Sequence, residues 1–477
     1  MLESRTSQQA ISLVVLVLGL IALVVLVQGL IIIGDLFTDN IFVAIVFLFS
    51  VFFFVYAVKY YCSTFLVLFT GYQSHSSRLT QAQDTHQPFV SIHLPLYNEK
   101  AVVDRLLASC TSLNYEPYEI IVADDSTDET VEILKKWEKH PKVRINHRED
   151  RTGFKGGALA AAAKLMHPTT KFVLVFDADF IPPPDIIQRF LKHFPAEITD
   201  SKIPDSRIAA VQGYQLHILN ANENWITKSI RTEFSGNYVI ERAAQELYQG
   251  LKMIAGSVFM IRADLLRQLG WGTSLTEDWE LTLRLYLEGY KVIYTPLIQA
   301  PGECLATFRQ LVRQRTRWAE GHTFNVKRFF GQILKSTRLS RREKLEFLYY
   351  TPYYLKDCFY LVGITCWVVG FVLFNQSIPP KASLLGWSLL VCNALALPLM
   401  NITGLYLEGD LRQYLIGIVY QIALSHILVP IQACATLKGL IERGEGTWHR
   451  TLKSGRITGA LQKLFSHYSN DHVTVIS

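Results

Sequence analysis

A chain of 477 residues exceeds one ordinary domain, and its 50% hydrophobic content is more than a soluble protein of that size carries, so part of the excess must face lipid. The formal charge of +6, from 47 basic and 41 acidic residues with no long basic run, excludes a nucleic-acid polymer as partner and reads as a bias toward a membrane surface. Seven scattered cysteines without a CxxC pair signal neither a zinc site nor a disulfide framework, and they suit a reducing compartment.

Residues 11–33 form an apolar run of membrane-spanning length, too long for a signal-peptide core and followed by no small-residue cleavage site. A second run covers 41–70. The loop between them, residues 34–40 (GDLFTDN), carries Asp35 and Asp39 and no Lys or Arg. That places the loop outside and leaves the N-terminus and the chain after residue 70 in the cytosol. Residues 1–87 are thus expected to hold two transmembrane helices.

From 88 to 322 short apolar strands alternate with helix-period segments, the pattern of an α/β domain with a largely parallel sheet. Strands are predicted over 89–95 (FVSIHLP), 118–125 (YEIIVADD) and 171–179 (KFVLVFDAD). Over 323–345, Phe324, Phe329, Phe330 and Ile333 interleave with Lys327, Arg328 and Lys335, as in an amphipathic helix at a membrane interface. Three apolar stretches, 346–374, 384–405 and 413–436, then build a C-terminal membrane region over 346–440. Basic clusters flank it, with Arg338, Arg341, Arg342 and Lys344 before and Lys438, Arg443, Arg450, Lys453 and Arg456 after. Both should be cytosolic, which three crossings forbid. The last stretch, the most polar with Gln421, Ser425, His426 and Gln432, is expected to lie along the interface. Residues 441–477 form a cytosolic tail.

The chemistry-bearing motifs fall at the carboxyl ends of the predicted strands, where open α/β sheets bind ligands. In FDADF, alternation puts Asp177 and Asp179 on one side, spaced to share a divalent ion bridging two phosphates; solvated acids at a strand end are the plainer reading. Asp124 and Asp125 end another strand, and Asp128 after them suits a helix N-cap. GFKGGAL (153–159) sets a glycine-flexible backbone beside Lys155, able to approach a diphosphate. LTEDWELTLRLYLEGYK (275–291) predicts a helix capped by Thr276 and ended at Gly289, with Leu281 and Leu285 buried. Acids at its start complement the helix dipole; Asp278 could also be a general base, taking the proton of an attacking sugar hydroxyl. In QRTRW, Gln314, Arg317 and Trp318 share one helix face, offering donors and an aromatic plate to a sugar and a phosphate.

Taken together, P-x-Y-N-E from Pro95 to Glu99, then DD, GFKGGAL, DAD, TED and QRTRW in this order resemble the membrane-embedded family 2 glycosyltransferases, the cellulose, mannan, chitin and hyaluronan synthases. The resemblance covers roughly residues 88–320. It implies a GT-A fold, the Rossmann-like nucleotide-diphospho-sugar transferase domain, inserted between transmembrane helices. It further implies an inverting hexosyl transfer from a UDP- or GDP-sugar to a growing β-linked polysaccharide. By that resemblance Tyr97, Glu99 and Asp125 lie around the nucleoside, Lys155 and Asp177 near the diphosphate, and Asp179 with Asp177 on Mg²⁺ or Mn²⁺. Asp278 is then the base. Gly256 and Ser257 of AGSVFM line the acceptor site, and Glu277, Gln314, Arg315, Arg317 and Trp318 hold the diphosphate and the acceptor end. The implied setting is a cell membrane, or a Golgi membrane in a eukaryote, with the catalytic domain cytosolic. Transfer of one sugar to diacylglycerol or a polyprenyl phosphate is the nearest alternative, and a non-catalytic channel or scaffold a more distant one.

In the tail, EGTWHRTLKSGR places Trp448, Thr451 and Lys453 in a spacing similar to the F-x-V-T-x-K gating segment of the cellulose synthases, with Trp448 for Phe and Arg450 for Val. A basic tail resting on anionic lipid is the competing reading. About 25 residues follow Lys453, with no further apolar span. A complete secretion channel would then call for a second copy or a channel partner.

Overall fold

The computed structural model describes residues 19–36, 40–70, 87–194, 207–375, 380–442, 444, 446 and 450–458. Two apolar helices, α1 (Gly19–Leu36) and α2 (Ile41–Thr70), precede the α/β domain. The domain then runs β1 (Val90–Leu96), α3 (Val103–Thr111), β2 (Tyr118–Asp124), α4 (Thr130–Trp137), β3 (Val143–His147), α5 (Phe154–Leu165), β4 (Phe172–Val175) and α6 (Ile186–Leu191). It continues with β5 (Ile208–His217), α7 (Trp225–Ser235), a π-helical turn (Gly236–Glu241), α8 (Arg242–Leu247), β6 (Phe259–Arg262), α9 (Ala263–Leu269), α10 (Glu277–Leu287) and β7 (Lys291–Gly302). After it come α11 (Phe308–Lys335), α12 (Arg341–Tyr350), α13 (Leu355–Val368), α14 (Pro380–Leu407) and α15 (Leu411–Ile441).

The seven strands form one mixed sheet in the order β3-β2-β1-β4-β6-β5-β7. Strands β1 to β4 are mutually parallel, as are β5 and β7, while β6 runs antiparallel to both its neighbours. Strand residues alternate between two cores. Ile92, Leu94, Ile120, Val122, Phe172 and Leu174 face α3 and α6, whereas Ile121, Ala123, Val173 and Val175 face α5, α9 and α10. Burial on both faces explains why these strands read as continuous apolar runs.

Register decides what the sheet presents at its edge. Leu96 pairs with Asp124, so the residues following β1 and β2 emerge side by side. Because β6 is antiparallel, its start at Phe259 lies beside Val175 at the end of β4. Residues 256–258 therefore reach the same edge, with the Val258 amide donating to the Val175 carbonyl at 2.9 Å.

Two expectations change here. Helix α11 is continuous through residue 322, so 323–335 is the second half of the QRTRW helix, and Phe329 and Ile333 are buried in the second core. Of the four apolar residues expected at an interface, Phe329 and Ile333 are thus covered by protein, while Phe324 is half-buried and Phe330 exposed. Strand β4 ends at Val175, before the DAD acids.

Among the described residues five helices, α1, α2, α13 with the π-helical turn that extends it (Val369–Leu373), α14 and α15, are long and apolar enough to cross a membrane. The α/β domain is tied to them by ion pairs. Lys59 of α2 meets Glu346 at 2.7 Å and Glu241 at 3.1 Å. Arg231 of α7 meets Glu408 at 3.0 Å and Asp410 at 2.9 Å, at the junction of α14 and α15. At the other end of α15, Lys438 meets Glu320 of α11 at 3.0 Å. A helix of 31 residues is about 46 Å long, yet both its ends contact the α/β domain and the helix it feeds. Reporters fused after Gly409 and after Thr458 should therefore read out in the same compartment; opposite compartments would mean that α15 crosses.

Candidate active site

One cavity of about 290 Å³ lies at the carboxyl edge of the sheet and extends toward the membrane helices. Most of the residues singled out by sequence line it: Tyr97, Glu99 and Asp125; Lys155, Asp177 and Asp179; Gly256, Glu277 and Asp278; Gln314, Arg315, Arg317 and Trp318; Thr451 and Lys453. Ser257 is fully buried, its hydroxyl accepting the Asp177 amide at 2.9 Å. Trp448 lies outside the described residues.

The nucleoside-side residues sit on the loops after β1 and β2. Asp125 is held bidentate by Arg148 at 2.7 and 2.6 Å, and Asp124 meets His147 Nδ1 at 2.7 Å. Asp128, expected as an N-cap, stands one residue before the N-cap Glu129 of α4 and accepts the Thr130 amide at 3.0 Å. The Arg151 guanidinium lies 3.4 Å over the Tyr97 ring, a cation–π stack that fixes the ring as a flat wall. Burial pushes the Glu99 carboxyl up to about 8, against the opposing pull of Arg450 3.5 Å away.

Lys155 is the centre of the next layer. Its Nζ is 2.7 Å from Asp177 Oδ1, 3.4 Å from Glu277 Oε1 and 2.8 Å from the Gly256 carbonyl, so one ammonium joins three motifs far apart in sequence. Burial works against its charge, but Asp177 and Glu277 outweigh that and raise its pKa. Gly256 has φ +77°, and a Cβ there would stand 3.0 Å from Asp278 Oδ2. Only glycine lets the backbone pass so close to the acid.

Asp177 and Asp179 lie on a turn, the Phe180 amide donating to the Asp177 carbonyl at 3.2 Å. Strand alternation does not orient them, and the acids diverge, Asp177 to Lys155 and the fully buried Asp179 to Lys453 Nζ at 2.8 Å. Burial would raise the Asp179 pKa, but Lys453 and His217 hold it below the usual carboxylate range. Thr276 stands at the N-cap position of α10 without capping by its side chain. Its hydroxyl instead accepts from Asn325 at 3.0 Å, binding α10 to α11.

Asp278 differs from its neighbours. Among the described residues it makes no ion pair; its Oδ1 accepts only the Trp279 amide at 2.8 Å. Burial, reinforced by Glu277, pushes its carboxyl up to about 7. On α11, Gln314, Arg317 and Trp318 face the cavity as their spacing requires, and Arg317 donates to the Leu275 carbonyl at 3.1 Å. Arg315 is buried, paired with Glu233 at 2.6 Å and 4.7 Å from the Trp318 ring. Tyr350, Tyr353 and Tyr354 complete the membrane-side wall.

Sequence reasoning missed Arg148, His147, Glu233, His217 and the three tyrosines. Arg148 and His147 had a usable signal, since they end or follow strand β3 at the same edge; the others lie on elements whose proximity only folding creates.

Residues 86–321, which supply most of the cavity lining, match the family described as glycosyltransferase like family 2. That segment is similar to a family 2 glycosyltransferase domain. The chain is 29% identical over 392 residues to glucomannan 4-beta-mannosyltransferase 7 of Arabidopsis thaliana, a match covering 77% of this chain and 65% of that protein. It is 26% identical over 389 residues to glucomannan 4-beta-mannosyltransferase 1 of Oryza sativa subsp. japonica, covering 77% of this chain and 70% of that one. A solved structure, the mannosyltransferase PcManGT from Pyrobaculum calidifontis in complex with GDP-Man and Mn²⁺, aligns at 18% identity and TM-score 0.48, over 81% of this chain and 99% of that one. The mixed seven-stranded sheet, with apolar helices before and after it, agrees with the fold expected from sequence.

The raised Asp278 pKa has a consequence for the stability of the transferase domain. A carboxyl whose folded pKa exceeds its unfolded value contributes stability below the unfolded pKa and loses it as pH rises through the folded value. Above about pH 7 the charged Asp278 therefore costs stability. Asp278→Asn should leave the melting temperature at pH 8 unchanged or raised; a clear fall would show that the carboxylate stabilises the fold.

Proposed function

We propose that this transferase domain moves a hexose from a nucleoside-diphosphate sugar to the hydroxyl of a growing β-linked glycan, with inversion, on the cytosolic side of a membrane. The observation that carries the proposal is Asp278, a half-buried acid that lines the cavity and makes no ion pair among the described residues, its pKa raised to about 7. The acceptor hydroxyl oxygen forms a bond to the anomeric carbon as the bond from that carbon to the diphosphate oxygen breaks. The hydroxyl proton passes to the Asp278 carboxylate, and a base with a pKa near the working pH is suited to that step. Lys155 and Arg317 hold the departing diphosphate in place and offset its charge.

The residues present fit a divalent cation such as Mg²⁺ or Mn²⁺. Among the described residues no group of three or more His, Cys, Asp or Glu side chains is gathered closely enough to cage an ion alone. One or two carboxylates completed by substrate phosphates is the usual Mg²⁺ arrangement, and Asp179 and Asp177, which line the same cavity while turned to different lysines, are the carboxylates proposed for that share. When bound, the metal neutralises charge on the diphosphate. The relatives are named as mannosyltransferases, which makes nucleotide-linked mannose the first donor to test. A glycan acceptor is favoured over a lipid hydroxyl because Trp318, Tyr353 and Tyr354 continue the cavity as aromatic surface, on which sugar rings stack.

For the membrane, α1, α2, α13 and α14 are proposed to cross and α15 to lie along the interface, as its contacts at both ends favour. The tail segment is proposed to take part in the site, since Thr451 and Lys453 line the cavity.

Purified protein in lipid nanodiscs, given labelled nucleotide sugars and a glycan primer, tests this reading. Turnover should rise with pH through about 7 as Asp278 ionises. Asp278→Asn should cut turnover by roughly 100- to 10,000-fold while donor binding survives; an unchanged rate would remove Asp278 from the role of base. Asp179→Ala should abolish the metal dependence of donor binding measured calorimetrically. Full activity in EDTA would end the metal proposal.

A further inference from the structure

Glu303 follows β7 directly, is 1% exposed, and belongs to none of the motifs that announce the site. Its carboxylate gathers donors from two sources. Oε1 accepts from Arg105 of α3 at 3.0 Å. Oε2 accepts from the Ser454 amide at 2.9 Å, the Ser454 hydroxyl at 3.2 Å and the Gly455 amide at 3.3 Å. Two successive backbone N–H groups converging on one anion make a concave anion receptor, built here by the tail around an acid of the catalytic domain.

The backbone of the same residue reaches the reaction site. The Glu303 amide donates to Asp179 Oδ2 at 3.1 Å, and its carbonyl meets His217 Nδ1 at 2.7 Å. One residue before Ser454, Lys453 places its ammonium 2.8 Å from the other oxygen of Asp179. Asp179 is thus gripped from one side by the Glu303 backbone and from the other by the tail that the Glu303 side chain holds. Other tail contacts are spread along the segment and single, with Arg450 to Glu99 at 3.5 Å, Gln310 to the Leu452 carbonyl at 3.1 Å, the Thr458 amide to the Leu219 carbonyl at 2.7 Å and the exposed Arg456 to Glu223 at 3.3 Å. A buried carboxylate with several charge-assisted hydrogen bonds is the strongest of these anchors.

We infer that Glu303 is a positioning residue that docks segment 450–456 in the cleft and sets Lys453 at the Asp179 end of the donor site. The inference rests on the proposed part of the tail in the site, and it adds the residue on the catalytic domain that seats it. Gly455 is the matching feature on the tail. It has φ +71°, and a Cβ there would lie 2.6 Å from the Ala101 carbonyl oxygen, so the docked backbone accepts no side chain at that position.

The test uses the full chain in nanodiscs with two variants that attack the dock from opposite sides. Glu303→Gln removes the charge, and Gly455→Ala blocks seating without altering the core, which keeps the test valid if the first variant folds poorly. Limited trypsinolysis reads docking through the bonds after Arg450, Lys453 and Arg456. Both variants should speed cleavage there at least tenfold while the melting temperature of Gly455→Ala stays unchanged, and the donor KM should rise about tenfold with a smaller change in kcat. Unchanged cleavage in either variant overturns the inference. Faster cleavage with KM and kcat both unaltered would uphold the dock and refute the proposed role of the tail in transfer.

Discussion

A carboxylate withdrawn from water needs a cation, hydrogen-bond donors or a proton. This cavity concentrates such groups, and its architecture follows from supplying each with a partner. Asp125 has Arg148, Asp177 and Glu277 share Lys155, Asp179 has Lys453, and Glu303 has Arg105 and the tail amides. Glu99 keeps a raised pKa despite Arg450 3.5 Å away, and Asp278, with no ion pair among the described residues, keeps one as well. In the proposed chemistry Asp278 is the group that must exchange a proton, and desolvation with the Glu277 charge beside it outweighs the pull of Lys155 and Arg317 and keeps its pKa near neutrality.

The sheet topology makes that balance attainable. Parallel β1, β2 and β4 deliver their following loops to one edge, and the reversed β6 returns residues 256–258 to the same place. An all-parallel continuation would have carried Gly256 and Ser257 to the opposite edge, away from Lys155 and Asp177. The antiparallel strand is thus a requirement of the site as much as a feature of the fold.

Buried charge also binds the domain to the membrane helices. Lys59 with Glu241 and Glu346, and Arg231 with Glu408 and Asp410, join elements that no short loop connects. Breaking one partner of such a pair leaves an uncompensated buried charge, which costs several kcal/mol, roughly 3–5. These links hold the cavity's tyrosine wall, on and after α12, in register with Trp318 on α11.

The sequence by itself determined the elements whose signals are local. Long apolar runs defined the long helices, short apolar runs between helix-period segments defined the strands, and the i, i+3, i+4 spacing of Gln314, Arg317 and Trp318 put them on one face, because each of these signals is local. Much of the site was legible for the same reason: DD and DAD stand just past strand ends and TED at a helix start. Tertiary structure alone decided the rest. The DAD acids part because β4 stops at Val175, and the apolar face of 323–335 meets protein because α11 continues without a break. Glu303 finds the tail across 151 positions of chain. Long-range pairing of buried charges leaves no periodic trace in the chain, since the partner of each acid is chosen by where the sheet and the tail bring a cation.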